Sequence, residues 1–354
     1  MVGRTFGFAI VGLGVIAPSH ARAIADLPNA RLRAVVDTNP ELVRQRASEW
    51  AVDGYTELDA VLSRPDVDVV CVCVPSGLHA ELGIRAALAG KHVVVEKPID
   101  VTLAAADRLI AAARESGVAL SVISQRRWDP GIRRLRAALE AGRFGRPILG
   151  DAIVKWYRSD AYYQSAGWRA TWELDGGGAL MNQAVHSVDL LLWLLGPVAQ
   201  VVARTRTAAH DIAVEDLALA LLTFESGALG VIEASTAVYP GLPERLEITG
   251  SGGTAIVEGG EVRVWQLSDE RGPVGPYGAS AEPAPAPGPV GAAANPGAVP
   301  ASGHRAQLAE VLAAIAEGRE PPVTGAEARR ALALILAIYE SARSGRAVDL
   351  PPGG

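Results

Sequence analysis

The sequence predicts an α/β protein of two domains: an N-terminal domain with a parallel sheet, and a C-terminal α+β domain built on a large, mostly antiparallel open sheet. The chain has 354 residues, which is more than one small core usually accommodates. Strand-like and helix-like stretches alternate up to about residue 125, as they do where helices cover both faces of a parallel sheet. After Arg126, mostly sequential strands joined by short turns indicate an antiparallel sheet.

The N-terminal domain is expected over residues 1–125. Its strands are predicted at short apolar runs rich in β-branched residues: Phe6–Val11, Leu32–Val36, Val67–Val74, His92–Val95 and Ala119–Ile123. Helical patterns lie between them at Ser19–Asp26, Pro40–Trp50, Leu58–Ser63, His79–Ala89 and Leu103–Ser116. A sheet of this kind binds ligands beyond the carboxyl ends of its strands.

The second domain is expected over residues 126–303. Helices are predicted around Gly131–Ala141 and over Ala179–Leu195, and strands at Ile148–Trp156, Val198–Thr207, Asp216–Phe224, Ala228–Ala237, Glu244–Thr249, Gly253–Glu258 and Glu261–Gln266.

A biased segment closes this domain. Residues 272–303 contain eight prolines and seven glycines, a composition that predicts a mobile loop, with an active-site lid as one alternative. The tail 304–354 is expected to pack back on the body as helices at His304–Gly318 and Ala326–Gly345.

Composition excludes several classes of function. A formal charge of −6 without a long basic run argues against a nucleic-acid partner. No apolar stretch is long enough to cross a membrane and no secretory leader is visible, so a cytoplasmic protein is expected. Cys71 and Cys73 are interpreted as two small buried hydrophobes rather than a metal or redox pair. Because His20, His92 and His210 lack metal-ligand spacing, no metal is expected.

A dinucleotide fingerprint follows the first strand. The segment Gly12-Leu13-Gly14-Val15-Ile16-Ala17 fits a tight turn at Gly12, close approach of a pyrophosphate at Gly14, and close packing of helix and strand at Ala17. Asp37 ends the second strand and Thr38 follows it. A carboxylate there accepts hydrogen bonds from the ribose hydroxyls and repels a 2′-phosphate, which predicts a Rossmann domain that prefers NAD.

Two further segments carry the groups that oxidation of an alcohol requires. Glu96-Lys97-Pro98 places a lysine at the end of a predicted parallel strand, where its charge can stabilise an alkoxide. Gly176–His186 places His186 in the first turns of a helix, where its imidazole can accept a proton near neutral pH. On that helix Asn182, His186, Asp189 and Trp193 are expected to share one face. Asp189 is left with two roles, orienting the imidazole or forming a salt bridge.

These segments, together with Val74-Pro75-Ser76-Gly77-Leu78-His79, resemble the glucose–fructose oxidoreductase / inositol dehydrogenase (Gfo/Idh/MocA) family. The resemblance covers nearly the whole chain. It implies that Lys97 and His186 act at the reacting hydroxyl and that Pro98 follows a cis peptide bond. Asn182 stands where inositol-dehydrogenase-like members have aspartate. Further cofactor contacts are implied for Pro75, Ser76, His79 and Glu96.

The segment Trp156–Trp172 concentrates six aromatic residues and two arginines. Aromatic faces pack against the C–H faces of sugars, while arginine binds hydroxyls or a carboxylate. About half of these aromatics are assigned to the substrate pocket and the rest to the core. The substrate residues predicted here are Trp156, Arg158, Tyr163, Trp168 and Arg169.

The sequence therefore predicts an NAD-dependent dehydrogenase that oxidises a ring hydroxyl of a sugar or cyclitol, or reduces the corresponding keto sugar. Lys97, His186 and Asn182 are its expected catalytic residues. Two alternatives remain open: redox-assisted cleavage of a glycoside with tightly bound NAD, and a non-catalytic dinucleotide-binding sensor. A homodimer or homotetramer formed through the open C-terminal sheet is expected.

Overall fold

The computed structural model describes residues 4–271, 278 and 301–353. Within them, chain contacts define two compact units. The first comprises 4–125, 172–176 and 301–332, and the second comprises 126–171, 177–271 and 333–353. The predicted loop 272–303, and with it the lid alternative, lies outside the described residues except for Gly278 and residues 301–303.

A six-stranded sheet forms the centre of the first unit. Every neighbouring pair of its strands is parallel and the strand order is β3-β2-β1-β4-β5-β6. Its strands are β1 (Phe6–Val11), β2 (Ala30–Val36), β3 (Asp53–Tyr55), β4 (Val69–Val72), β5 (His92–Val95) and β6 (Leu120–Val122). Its helices are α1 (Ala17–Ala25), α2 (Pro40–Trp50), α3 (Leu58–Leu62), α4 (His79–Leu88) and α5 (Leu103–Glu115). The predicted parallel sheet is confirmed, and its topology switches between β1 and β4.

Strand β3 and the two cysteines bear on the sequence predictions for this unit. The strand β3 was not predicted, because Asp-Gly-Tyr shows no apolar run. Cys71 and Cys73 are buried without a disulfide, and burial raises the pKa of both thiols. They pack in the core beside β1, as the interpretation of two small hydrophobes predicts.

An eight-stranded sheet dominates the second unit, in the order β13-β12-β11-β7-β10-β9-β8-β14. Its strands are β7 (Pro147–Lys155), β8 (Val198–Arg206), β9 (Leu217–Phe224), β10 (Leu229–Ser235), β11 (Arg245–Gly250), β12 (Gly253–Glu258), β13 (Glu261–Leu267) and β14 (Val348–Asp349). Only β7 and β10 pair in parallel; the other six pairs are antiparallel. The prediction of a mostly antiparallel sheet is confirmed.

The predicted helix over Ala179–Leu195 is wrong in its first turns. Ala179–Ala184 forms a π-helix, and the α-helix begins only at Val185. The helices of this unit are α6 (Pro130–Glu140), α7 (Asp160–Gln164), α8 (Val185–Leu195) and α9 (Ser268–Arg271). Within α8 the positions of His186, Asp189 and Trp193 keep helical spacing, but Asn182 lies in the wider turn. The four residues therefore do not follow one continuous 3.6-residue periodicity.

The C-terminal helices are α10 (Ala301–Glu317) and α11 (Gly325–Ser344). The last three residues of the predicted loop thus belong to α10. In the first unit α10 packs against α1, and Leu308, Val311 and Leu312 join the core. The Gln307 side chain accepts from Ser124 N at 2.9 Å and donates to Val122 O at 2.7 Å. These bonds satisfy backbone groups where the parallel sheet ends at β6.

One face of the second sheet carries apolar side chains that are exposed in the single chain. Leu219 and Leu221 on β9 are 46% and 62% exposed, Val202 on β8 is 39% exposed, and Leu229 on β10 is 56% exposed. Val202 and Leu221 are directly paired. Among the described residues, no helix is both long and apolar enough to cross a membrane.

Candidate active site

The turn between β1 and α1 has the geometry of a phosphate cradle. Gly12 adopts φ +90°, and a Cβ there would lie 2.5 Å from the Cys73 carbonyl oxygen. A Cβ at Gly14 would meet no atom within 4 Å, so the backbone is open where a pyrophosphate approaches. Ala17 is fully buried under the sheet, whereas Val15 is exposed and Ile16 half-buried. The residues of this turn fit the phosphates of a dinucleotide at the N-terminus of α1.

Asp37 is fixed beside this turn. Its Oδ2 accepts a hydrogen bond from Leu13 N at 2.8 Å and its Oδ1 accepts one from Asn39 N at 2.9 Å. The side chain is half-buried and Thr38 is exposed. The carboxylate is therefore held at the end of β2 next to the glycine turn, where the adenosine ribose of a bound dinucleotide lies in Rossmann domains.

Exchange of Asp37 for serine is expected to raise NADP use relative to NAD by about tenfold or more. A carboxylate about 4 Å from a 2′-phosphate costs ~1 kcal/mol in water and more near a protein surface, and serine removes that repulsion. The measurement is kcat/KM with each cofactor, with Asp26→Ser, an exposed acid at the end of α1, as the control. An unchanged cofactor ratio in Asp37→Ser contradicts the assignment.

The loop after β4 is tied to the loop after β5 by His79. This buried ring contacts Pro98 O through Nδ1 at 2.7 Å and Val74 O through Nε2 at 2.9 Å. Burial lowers the pKa of His79, and the two carbonyl contacts oppose that effect. Ser76 is buried and Pro75 half-buried in the same loop. His79 thus braces the two strand-end loops that the sequence assigns to the cofactor.

Lys97 is the second residue after β5 and is half-buried. The peptide bond between Lys97 and Pro98 is cis, as the resemblance implied. Glu96, before it, is buried: its Oε2 accepts from Lys97 N at 3.1 Å and its Oε1 contacts His20 Nε2 at 2.8 Å. His304 Nε2 lies 3.4 Å from the same Oε1. Burial acts to raise the pKa of Glu96, but the histidines outweigh it and hold the pKa well below its usual range.

The sequence missed this His20–Glu96–His304 triad. It is the one set of His, Cys, Asp or Glu among the described residues whose atoms cluster as metal ligands do, within 4.8 Å. Metal-bound imidazoles nearly always donate their second N–H to an acceptor, and Nδ1 of both histidines lacks such a partner in the described structure. Burial lowers the pKa of His20, and the contact of its Nε2 with Glu96 Oε1 accounts for the position of this ring without a metal. That no metal is bound stays a prediction.

Gly176 and Gly177 adopt φ +80° and +153° before the π-helix. Asn182 lies within this π-helix and His186 in the first turn of α8; both are half-buried. The Asp189 carboxylate accepts two hydrogen bonds from Arg127, at 2.9 Å from Nε and 2.6 Å from Nη2. Of the two roles left open for Asp189, the structure thus shows the salt bridge. Trp193 packs under the guanidinium groups of Arg127 and Arg136.

The aromatic segment contains buried, half-buried and exposed side chains. Trp156, Arg158 and Tyr163 are each less than 10% exposed. Arg158 lies over the Trp156 ring at 5.1 Å. Tyr163 shares a 2.6 Å hydrogen bond with Thr236 Oγ1, and burial raises the pKa of Tyr163 to about 12. These three side chains are built into the fold of the second unit.

Trp168 and Arg169 are half-buried. The Arg169 guanidinium lies 4.2 Å from the Tyr162 ring centroid and 4.7 Å from that of Trp168. Arg169 Nη1 donates to Tyr162 Oη at 2.7 Å, and Gln183 Nε2 donates to the same oxygen at 3.0 Å. Since Gln183 belongs to the π-helix, Tyr162 connects the aromatic segment to the element that carries Asn182. Neither Tyr162 nor Gln183 was among the predicted site residues.

Comparison with known proteins identifies this combination of domains. An oxidoreductase family with an NAD-binding Rossmann fold matches residues 6–124, and the GFO/IDH/MocA C-terminal domain matches residues 132–256. The chain belongs to the Gfo/Idh/MocA family. As a Gfo/Idh/MocA protein it is an NAD-dependent oxidoreductase, and the predicted family, fold class and cofactor are confirmed.

Several relatives of this Gfo/Idh/MocA protein bind or act on sugars and cyclitols. The structure is similar to the WlbA dehydrogenase from Bordetella pertussis in complex with NADH and UDP-GlcNAcA, with 35% identity, a TM-score of 0.86, and coverage of 98% of this chain and 99% of that one. Myo-inositol 2-dehydrogenase of Thermotoga maritima is 29% identical over 74% of this chain and 78% of its own length. D-apiose dehydrogenase of Paraburkholderia graminis is 28% identical over 98% of this chain and 90% of its own length.

Proposed function

We propose that the protein oxidises a ring hydroxyl of a sugar or cyclitol by hydride transfer to NAD, or catalyses the reverse reduction of a keto sugar. The proposal is supported by the presence of Lys97 just beyond the end of β5 and of His186 on the first turn of α8 in a member of this family. The family's sugar and cyclitol dehydrogenases supply the substrate class. Proteins that only bind a dinucleotide have no need of this pair.

Bound NAD supplies the acceptor for the hydrogen on the substrate carbon. The imidazole of His186 takes the hydroxyl proton, since histidine exchanges protons near neutral pH. The Lys97 ammonium donates to the same oxygen and stabilises the negative charge that develops there. Asn182 donates or accepts a hydrogen bond at a neighbouring hydroxyl. An amide cannot take a proton, so proton transfer falls to His186.

Lysine is a rare residue in this chain, so its presence at position 97 is informative. The chain has 33 basic residues but only three lysines, at positions 91, 97 and 155. Lys91 Nζ donates to the carbonyls of Arg64 and Val67, and Lys155 forms an ion pair with Glu233. A compact ammonium, unlike the planar guanidinium used almost everywhere else in this chain, can approach a single oxygen as a point charge. This supports the role proposed for Lys97.

We favour a pyranose as the substrate. Trp168 and Arg169, two half-buried members of the aromatic segment, offer an apolar face and a hydroxyl- or carboxylate-binding group. Relatives differ in what accompanies the ring, because some act on a free polyol and the WlbA dehydrogenase was crystallised with a UDP-linked sugar acid. Both forms belong in the test.

The test is a screen for NADH formation with NAD and a panel of free pyranoses, inositols, D-apiose and UDP-linked sugars, and with keto sugars and NADH in reverse. The proposal expects steady release of NADH with at least one polyol. Consumption of a glycoside without NADH in solution would instead support redox-assisted cleavage with bound NAD. Cofactor binding without turnover on any member of the panel would support a sensor.

We also propose that the apolar face of β8, β9 and β10 is covered by a second copy of the chain. Leu221→Lys is expected to raise the dimer dissociation constant by more than tenfold, since it removes about 2 kcal/mol of apolar burial and desolvates a charge. Light scattering over a dilution series measures this, with Glu41→Lys on α2 as the control. A parent that is monomeric at all concentrations, or a Leu221→Lys variant that associates as the parent does, contradicts it.

A further inference from the structure

Glu215 accepts four hydrogen bonds, three of them from the beginning of the π-helix. Its Oε2 accepts from Gly178 N at 2.9 Å, and its Oε1 accepts from Leu180 N at 2.9 Å and from the Tyr339 hydroxyl at 3.0 Å. Its backbone carbonyl accepts from Ala179 N at 3.0 Å. The first N–H groups of a helix have no partner within the helix, and a single buried residue satisfies three of them here.

The last two glycines before the π-helix make this contact sterically feasible. A Cβ on Gly178 would lie 1.7 Å from the carbonyl oxygen of Glu215, and a Cβ on Gly177 would lie 2.1 Å from the Tyr339 hydroxyl oxygen. Any larger residue would push Glu215 or Tyr339 away from the backbone. Close approach of Glu215 and Tyr339 is therefore a physical reason for glycine at both positions.

The surroundings of Glu215 act on its ionisation in opposite directions. Burial raises the pKa of Glu215 to about 7, and hydrogen bonds from Leu180 N, Gly178 N and the Tyr339 hydroxyl oppose that effect. Only the ionised carboxylate can accept all three side-chain bonds without offering a proton of its own. Negative charge at the N-terminal end of a helix is also favourable.

We propose that Glu215, supported by Tyr339, is a positioning residue of the active site. By fixing the backbone of residues 178–180 it maintains the wide π-turn. This turn sets the direction of the Asn182 side chain and the residue at which α8 begins, and therefore the position of His186. The inference rests on the proposed function, because the proposed function assigns Asn182 and His186 to the binding and oxidation of a sugar or cyclitol.

The test compares Glu215→Gln and Tyr339→Phe with the parent enzyme. The control is Glu247→Gln, a half-buried acid on β11 in the same unit that pairs with Arg245. Hydrogen exchange of the peptide covering residues 177–184 is expected to become about tenfold faster in Glu215→Gln. With the best substrate of the panel, kcat is expected to fall by about 10- to 100-fold, because small misplacements of reacting groups lower the rate by factors of this size. NAD affinity is expected to change by less than about twofold, since the phosphate cradle is untouched.

Tyr339→Phe keeps the ring and removes one of the three bonds to the carboxylate, so it is expected to shift exchange and kcat in the same direction by a smaller factor. It decides the question if Glu215→Gln does not fold. Unchanged exchange at residues 177–184 overturns the inference, as does faster exchange with unaltered kcat and KM. If the parent turns over no sugar, the proposed function fails. The positioning role of Glu215 is then tested by NMR of the His186 ring, whose signals are expected to shift in Glu215→Gln and in Tyr339→Phe but not in Glu247→Gln.

Discussion

His186→Ala is expected to lower kcat by about 10²- to 10⁴-fold, the range that a positioned general base contributes. The substrate hydroxyl then has no imidazole to take its proton, and the neighbouring Asn182 cannot replace it because an amide does not accept protons at neutral pH. NAD binding is expected to stay near the parent value, since His186 belongs to the second unit and the dinucleotide cradle to the first. Stopped-flow turnover and a cofactor titration measure the two effects.

The control is His92→Asn. In the parent protein His92 Nδ1 accepts from Ala119 N at 3.1 Å, and the asparagine oxygen can accept the same bond, so this variant is expected to keep full turnover. The pH profile adds a second readout. The acidic limb of kcat/KM, which reports the base of the free enzyme, is expected to vanish in His186→Ala. Turnover of His186→Ala within a factor of a few of the parent contradicts the mechanism.

Lys97→Met is expected to lower kcat by about 10²- to 10³-fold, the cost of losing one donor to a developing oxyanion. Methionine keeps the length of the side chain and removes the charge, so the packing after β5 changes little. The Lys97→Arg variant is expected to recover only part of the activity, because the planar guanidinium cannot place a compact charge on one oxygen. Steady-state kinetics with the oxidised and the reduced substrate measure both variants.

Lys155→Met serves as the matched control for Lys97→Met, because it makes the same change at a lysine that pairs with Glu233. Its ion pair with Glu233 is partly exposed and is worth no more than ~1 kcal/mol, so full activity is expected. Equal losses of kcat in the two variants would mean that Lys97→Met acts through the general loss of a positive charge and not through the loss of a donor to the reacting oxygen.

The parts of the fold that follow from local pattern were predictable. The parallel strands are continuous apolar runs, and the turn at Gly12 and Gly14 follows one of them directly, so both could be read without knowledge of distant residues. The strands of the second sheet alternate buried and exposed residues clearly, as in β9. Short elements such as β3 and α7 lack enough residues for any periodicity to show.

The contacts that shape the candidate site were not predictable from pattern. Glu96 meets His304 and Glu215 meets Tyr339 across more than 100 residues of sequence, and nothing local to any of them specifies the partner. Glu215 could have been suspected, since it lies just before the largely apolar strand β9, where a charged residue needs a buried partner. The π-turn has no sequence signal, because apolar residues follow the glycines at spacings that suit an α-helix equally well.

The fate of the hydrogen on the oxidised ring carbon shows whether the protein transfers hydride from a sugar to NAD. A substrate found by the panel is deuterated at that carbon and incubated with NAD, and the NADH in solution is examined by mass spectrometry. We expect one deuterium in the NADH released by the parent enzyme, formed far more slowly by His186→Ala. Turnover of the labelled compound that leaves NADH unlabelled, or leaves none in solution, would contradict it.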